Sequence, residues 1–109
     1  MKFSMYNDLE DYDEVNEAVI KAEVKKLAAH DIDFLVLEPP QPKDFNAYIQ
    51  SAYEDNGLAL ETRFIYDNEN YKHYRMEGLS KETVEKVFLN YINGINPDMN
   101  ADGWEILEI

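Results

Sequence analysis

Two histidines are the first candidates for chemistry in this sequence. Neither His30 nor His73 has a second histidine within four residues, whereas metal sites combine several ligands at short, regular spacing. The chain has no cysteine, which excludes disulfides, thiolate catalysis and cysteine-based zinc sites. A structural histidine is therefore favoured over a catalytic or metal-binding one.

A second candidate is a partial calcium loop. Asp98, Asn100 and Asp102, followed by Gly103, match the first half of a calcium-binding loop. The position of the closing bidentate Glu is Ile109 instead, and loops between a helix and a strand are rich in Asp, Asn and Gly for turn reasons alone. We expect no calcium binding tighter than millimolar, and no cofactor.

Catalytic signatures are weak elsewhere in the sequence. Its four glycines do not form a phosphate-binding loop, and no Gly-x-Ser-x-Gly motif is present. With 23 Asp and Glu residues, a pair of carboxylates carries no information about catalysis. An enzyme is therefore less favoured than a binding protein.

The carboxylates themselves are the strongest signal. Against 10 Lys and Arg they give a net charge of −13 and a pI near 4.3, which excludes non-specific binding to nucleic acid or to anionic membranes. Six lie within ten residues, at Asp8, Glu10, Asp11, Asp13, Glu14 and Glu17. They favour either electrostatic steering toward a basic protein partner or solubility of a small protein, and both interpretations stay open.

A first helix is predicted from about Asp13 to His30, with Asp11 and Glu14 as a capping box at its start. Its apolar residues fall on two nearly opposite stripes. One stripe contains Val15, Ala18, Val19 and Ala22, and the other Ile20, Val24, Leu27 and Ala28. Either the helix is covered from both sides or one of the two stripes meets a partner, for example in a homodimer.

The rest of the pattern predicts strands around a second helix. A buried strand is expected at 32–37, a hairpin about Asn56-Gly57 within 46–66, another strand at 71–76, a helix from Ser80 to Gly94, and a last strand at 104–109. The predicted fold is one α+β domain over 1–109, an antiparallel β-meander with two helices on one face, in the order α-β-β-β-β-α-β. The residues expected to be buried are Phe34, Val36, Ile49, Leu60, Phe64, Val84, Val87, Phe88 and Tyr91.

Counting outward from the turns predicts a recognition surface on the sheet. A two-residue loop at Asn56-Gly57 would place Ile49 opposite Phe64, and a four-residue connection after Tyr66 would place Arg63 opposite Tyr74. His73 would then lie beside Phe64 on the core side. The other face would carry Tyr48, Gln50, Glu61, Arg63, Lys72 and Tyr74, a mixture of rings, amides and charges that suits recognition, although an ordinary solvated face is the alternative.

In size, charge and layout the chain resembles the immunity-type and inhibitor proteins of bacteria and phages, which neutralise basic nucleases or other toxins. The resemblance implies an acidic binding protein with a basic macromolecular partner. A small-ligand or calcium-binding module and a small enzyme are the alternatives. The first residues, MKFSMYNDLEDYDE, lack the apolar run of a signal peptide, so a cytoplasmic location is expected.

Overall fold

The computed structural model describes residues 3–40, 46–65, 71–98 and 103–107. Within these residues the chain is α+β, as predicted, with two helices and seven strands. In chain order they are β1 (Ser4–Asn7), β2 (Asp11–Tyr12), α1 (Glu17–Ala28), β3 (Phe34–Glu38), β4 (Asn46–Glu54), β5 (Gly57–Ile65), β6 (Tyr71–Leu79), α2 (Lys81–Ile92) and β7 (Glu105–Leu107). The predicted order holds from α1 onward, whereas β1 and β2 were not predicted.

The strands form one antiparallel sheet in the order β2-β1-β3-β4-β5-β6-β7. Both helices contribute to one core on a single face of this sheet. The buried members of that core are Met5, Ile20, Val24, Leu27, Ile32, Leu35, Leu37, Ile49, Leu58, Leu60, Val84, Phe88 and Tyr91. The meander β4-β5-β6 lies in the interior of the sheet, with short strands at both edges.

The first helix begins later than its sequence suggested. Asn16 is the N-cap, and its side-chain oxygen accepts a hydrogen bond from the Val19 amide at 2.9 Å. Asp11 instead lies in β2, opposite Tyr6 of β1, so the predicted capping box is wrong. Asparagine satisfies a free amide of the first turn as well as Asp does, and the segment before it is taken up by the β1–β2 pair.

Only one of the two apolar stripes of α1 supplies buried core residues, while its last member, Ala28, is half-buried. Ile20, Val24 and Leu27 are 0% exposed, and Val15 and Val19 pack against the same core from its margin. Ala18 and Ala22 are exposed. A homodimer through this remaining surface stays a prediction.

The second helix matches its sequence signals closely. The Ser80 hydroxyl accepts from the Thr83 amide at 3.1 Å, as expected of an N-cap. At the other end the amides of Gly94 and Ile95 donate to the carbonyls of Tyr91 and Asn90 at 3.1 and 2.9 Å. This is a Schellman arrangement, which ends the helix at the predicted Gly94, and Gly94 has the positive φ of 88° that it requires.

The first hairpin is present, but its register differs from the prediction by two residues. Glu54 pairs with Gly57, so the loop is Asp55-Asn56, and Ile49 lies opposite Thr62 rather than Phe64. Gly57 has a φ of 129°, and a Cβ there would lie 3.1 Å from the backbone of Gly78. A shift of two residues keeps every side chain on its predicted face.

The register between β5 and β6 differs by one residue, which has a larger effect. Leu58 pairs with Leu79, but Leu60 pairs with Met76, so β6 carries one extra residue opposite β5 at this point. Gly78 lies in that bulge with a φ of 68°. The error relative to the prediction arises at the other end of the strand pair, because Ile65 rather than Tyr66 lies opposite Tyr71. Since side chains alternate along a strand, this one-residue difference places every side chain from 71 to 76 on the face opposite the predicted one.

Burial agrees with most of the predicted core. Val36, Ile49, Leu60, Val84, Phe88 and Tyr91 are buried. Phe34, Phe64 and Val87 are half-buried, and Phe34 lies on the face away from the helices because it pairs with Ala52.

Each helix has 12 residues, about 18 Å of length, so within the described residues no helix can cross the ~30 Å core of a bilayer.

Candidate functional site

The sheet face opposite the two helices is the candidate functional surface, and we call it the open face. Its members follow from the ladder partners, because residues directly opposite each other share a face. The described side chains on it include Tyr6, Phe34, Val36, Tyr48, Gln50, Ala52, Glu54, Ala59, Glu61, Arg63, Tyr71, His73 and Arg75. It therefore combines aromatic rings with amide, acidic and cationic groups.

Parts of the open face are packed even though the helices lie on the other side. Val36 is 5% exposed and Ala59 is 1% exposed, yet neither belongs to the core beneath the helices. Tyr6 and Phe34 make an edge-to-face contact with ring centroids 6.3 Å apart. Such packing gives the surface a fixed shape, a property that recognition surfaces need.

The Arg63 cluster, which we define as Tyr48, Arg63, Tyr71 and His73, lies on β4, β5 and β6. The Arg63 guanidinium carbon lies 4.7 Å from the centre of the Tyr71 ring and 5.9 Å from that of Tyr48. Arg63 Nε donates to His73 Nε2 at 3.4 Å, and His73 Nδ1 lies 3.1 Å from the Tyr48 hydroxyl oxygen. The cation is thus held between aromatic rings and a histidine.

These contacts assign the proton on His73. Because Nε2 accepts from Arg63, a neutral imidazole must carry its hydrogen on Nδ1 and donate it to the Tyr48 oxygen. Burial and the nearby Arg63 charge lower the pKa of His73, which keeps the ring neutral at pH 7. Burial also raises the pKa of Tyr48, so its hydroxyl is retained.

The pKa of His73 predicts how stability depends on pH. Because the pKa is lowered in the folded protein, the unfolded chain binds a proton first as pH falls below ~6.5, and stability decreases from there toward the folded pKa. Wild type should therefore lose melting temperature between about pH 7 and 5.5 more steeply than His73→Gln, which cannot titrate there. Equal slopes for the two proteins would contradict this environment for His73.

Beside this cluster, Arg75 is surrounded by carboxylates. It contacts Glu54, and its Nε and Nη1 donate to Glu77 and Glu61 at 3.0 and 3.1 Å. The hydrogen bond to Glu77, together with those to Glu54 and Glu61, raises the pKa of Arg75 despite its partial burial. Three carboxylates around one guanidinium leave this part of the open face acidic.

The predicted acidic residues form a separate surface. Asp8, Glu10, Asp11, Asp13 and Glu14 are all exposed, in β2 and the segments on either side of it. Since β2 is an edge strand and β4 is three strands away, about 14 Å of sheet separates them from Tyr48. The protein thus presents an acidic edge and an aromatic face as two distinct candidates.

Of the side chains predicted to share a recognition face, Tyr48, Gln50, Glu61 and Arg63 do so. Tyr74 and Lys72 do not, because they lie opposite Thr62 and Phe64 on the other face. Tyr74 there makes edge contacts with Phe64 and Trp104, at centroid distances of 6.5 and 6.3 Å.

His73 lies on the open face in place of Tyr74 and Lys72. Its predicted position on the core side is therefore wrong. The change follows from the length of the connection before Tyr71, which the predicted pairing of Tyr66 with Tyr71 made one residue too short.

The candidate calcium loop is only partly described. Asn100 and Asp102 lie outside the described residues, and Asp98 is exposed, with its backbone carbonyl accepting from Trp104 Nε1 at 3.0 Å. In the described ranges no three His, Asp or Glu side chains are grouped so as to hold a metal ion.

The open face offers contacts rather than a reaction centre. Both ring nitrogens of His73 are engaged by Arg63 and Tyr48, which leaves neither for proton transfer to a bound molecule. Aromatic rings supply contact area, and arginine and carboxylate groups fix geometry and charge. Comparisons with protein-family models, curated proteins and solved structures find no match for this chain.

Proposed function

We propose that this chain is an acidic binding protein for a basic protein partner, of the immunity or inhibitor type, acting in the cytoplasm. The observation that carries the proposal is the open face. Interior strands of the sheet present half-buried aromatic and charged side chains there, while both helices pack on the opposite side. Aromatic and arginine side chains of this kind are the usual energetic centres of protein interfaces.

The net charge of the protein favours a partner with a basic surface. At −13 the protein attracts a basic surface and repels acidic ones, and such fields raise association rates by about 10–10³-fold. At physiological salt this attraction extends roughly 8 Å. The partner should therefore be basic, and its association should slow as salt rises.

The two surfaces should contribute differently. The exposed carboxylates of the acidic edge act over distance, so they should govern the association rate. Tyr48 lies half-buried in the open face and acts only on contact, so its loss should mainly raise the dissociation rate.

The experiment captures the partner from the source cell and measures binding kinetics at low and high salt. We expect the triple variant Asp8→Asn, Asp11→Asn, Asp13→Asn to associate more slowly, with a weaker dependence on salt. We expect Tyr48→Ala to dissociate about tenfold or more faster, as removal of a buried aromatic anchor does. The matched control is Asp31→Asn, Glu82→Gln, Asp98→Asn, which removes three charges from other parts of the surface.

Two outcomes would contradict the proposal in different ways. Association rates indifferent to salt and to the acidic substitutions would make the charge a solubility feature, and the triple variant should then aggregate. A dissociation rate unchanged in Tyr48→Ala would remove the open face from the interface.

A further inference from the structure

The two arginines of the open face have opposite surroundings. Arg75 contacts three carboxylates. In the described part of the chain no carboxylate lies within ion-pair distance of Arg63, although the protein has 23 Asp and Glu against 10 Lys and Arg. Glu61 of the same face pairs with Arg75 instead. In so acidic a protein, a half-buried guanidinium whose described contacts are all with neutral groups requires an explanation.

Arg63 is oriented by those neutral groups. Its Nε donates to His73, and its guanidinium carbon lies 4.7 Å from the centre of the Tyr71 ring. The contacts with Tyr71, Tyr48 and His73 use the faces of the guanidinium and Nε. Among the described residues none accepts a hydrogen bond from the two terminal nitrogens, which keep their N–H donors. Such a pair of nitrogens matches the two oxygens of a carboxylate.

Tyr48 adds a further donor to the same cluster. Its oxygen accepts from His73 Nδ1, so its own hydroxyl hydrogen remains for another acceptor. The Arg63 cluster therefore combines one positive charge with a neutral O–H donor. That combination suits a single carboxylate.

We propose that the Arg63 cluster is a subsite for one carboxylate group, an aspartate or glutamate side chain of the basic partner. The inference rests on the proposed function. Against the net charge of −13 a free carboxylate should bind only weakly, whereas a basic protein is attracted as a whole and can carry one carboxylate to the cluster. The partner would then place its cations near the acidic edge and this carboxylate on Arg63.

The first test uses propionate, a model of the side-chain carboxylate, with the neutral propionamide as its control. At physiological ionic strength we expect propionate to shift the Arg63 Nε–H and His73 ring resonances saturably, with a dissociation constant of about 10 mM. Propionamide should leave them unchanged. Arg63→Gln should abolish the effect on His73, whereas Lys72→Gln should retain it, because it removes the same charge from the other face of the sheet.

The second test uses the captured partner. Arg63→Gln should weaken its binding by about tenfold, and Arg63→Lys should also weaken it, because lysine keeps the charge without the two-pronged geometry. A backbone amide spectrum like that of wild type establishes that each variant is folded.

Either of two results would overturn the subsite: no saturable shift up to ~200 mM propionate, or partner binding unchanged in Arg63→Gln. If either occurs while Tyr48→Ala still speeds dissociation, the subsite is wrong and the proposed function stands. If Tyr48→Ala has no effect on the partner, the proposed function itself is wrong.

Discussion

Phe88→Ala is expected to lower the free energy of unfolding by about 3–5 kcal/mol, as removal of a fully buried phenylalanine does. Phe88 is 0% exposed and lies in α2, within the core that both helices share with the sheet. Its loss would open a cavity where α1, α2 and the strands meet. Urea denaturation followed by far-ultraviolet circular dichroism measures the change.

The matched control is Val87→Ala on the same helix. Val87 is only half-buried, so a smaller loss is expected there. A loss below ~1 kcal/mol for Phe88→Ala would mean that this face of α2 does not pack as described.

The second large effect is expected on stability, when a buried carboxylate of α1 is substituted. Glu23 of α1 is 1% exposed. Its Oε1 accepts from the side-chain amide of Asn7 at 2.9 Å, and its Oε2 lies 3.2 Å from Lys26 Nζ. The neighbouring Glu23 carboxylate, together with burial, raises the pKa of Tyr12.

Through Asn7 this carboxylate stabilises the acidic edge. The side-chain oxygen of Asn7 accepts from the amides of Leu9 and Glu10 at 2.7 Å each. Asn7 is itself buried at 6% exposed, so its amide group depends on Glu23 for its partner. The connection that carries Asp8 and Glu10 is thus anchored to α1 by the Asn7–Glu23 pair, and Lys26 of the same helix adds a longer ion pair to Glu10 at 3.9 Å.

Glu23→Ala should therefore destabilise the fold by about 2–4 kcal/mol, because it leaves a buried amide donor without an acceptor and removes the closer of the two carboxylate partners of Lys26. Glu23→Gln keeps the shape and an acceptor oxygen, so its cost should be about 1 kcal/mol. Urea denaturation measures both. Faster amide hydrogen exchange at Leu9 and Glu10 in Glu23→Ala would show that the acidic edge has loosened.

Glu17→Ala is the control for this substitution. Glu17 lies on the same helix and pairs with Lys21 at 2.8 Å, but both side chains are more than half exposed. Its loss should change stability little, because solvent screens such a pair. Equal effects at positions 17 and 23 would contradict the importance of the buried network.

The fold was predictable where several local signals agreed. Ser80 and Gly94 bracket α2 in both sequence and structure, because capping and termination depend on nearby residues alone. The start of α1 was not predictable in this way. Asn16 and Asp11 are both good caps, and the choice between them depends on Asp11 pairing with Tyr6 of β1, a tertiary contact.

The side chains that share the open face could be predicted only where the register of neighbouring strands was predicted to within an even number of residues. Tyr48, Gln50, Glu61 and Arg63 share a face because the error in the first hairpin was an even number of residues. Between β5 and β6 the error was one residue, an odd number, so Tyr74 and His73 exchanged faces. The Glu23 network was missed for another reason, because a glutamate on a helix is normally exposed and its burial depends on Asn7 of a strand that was not predicted.

The interior position of β4, β5 and β6 has a consequence for the thermodynamics of association. Each of these strands is hydrogen-bonded to a neighbour on both sides, so the backbone beneath the open face is already ordered before any partner arrives. The conformational entropy lost on binding is then confined to side chains, and several of these are already restrained by ring and hydrogen-bond contacts. A surface of this kind docks as a rigid body, without a folding step.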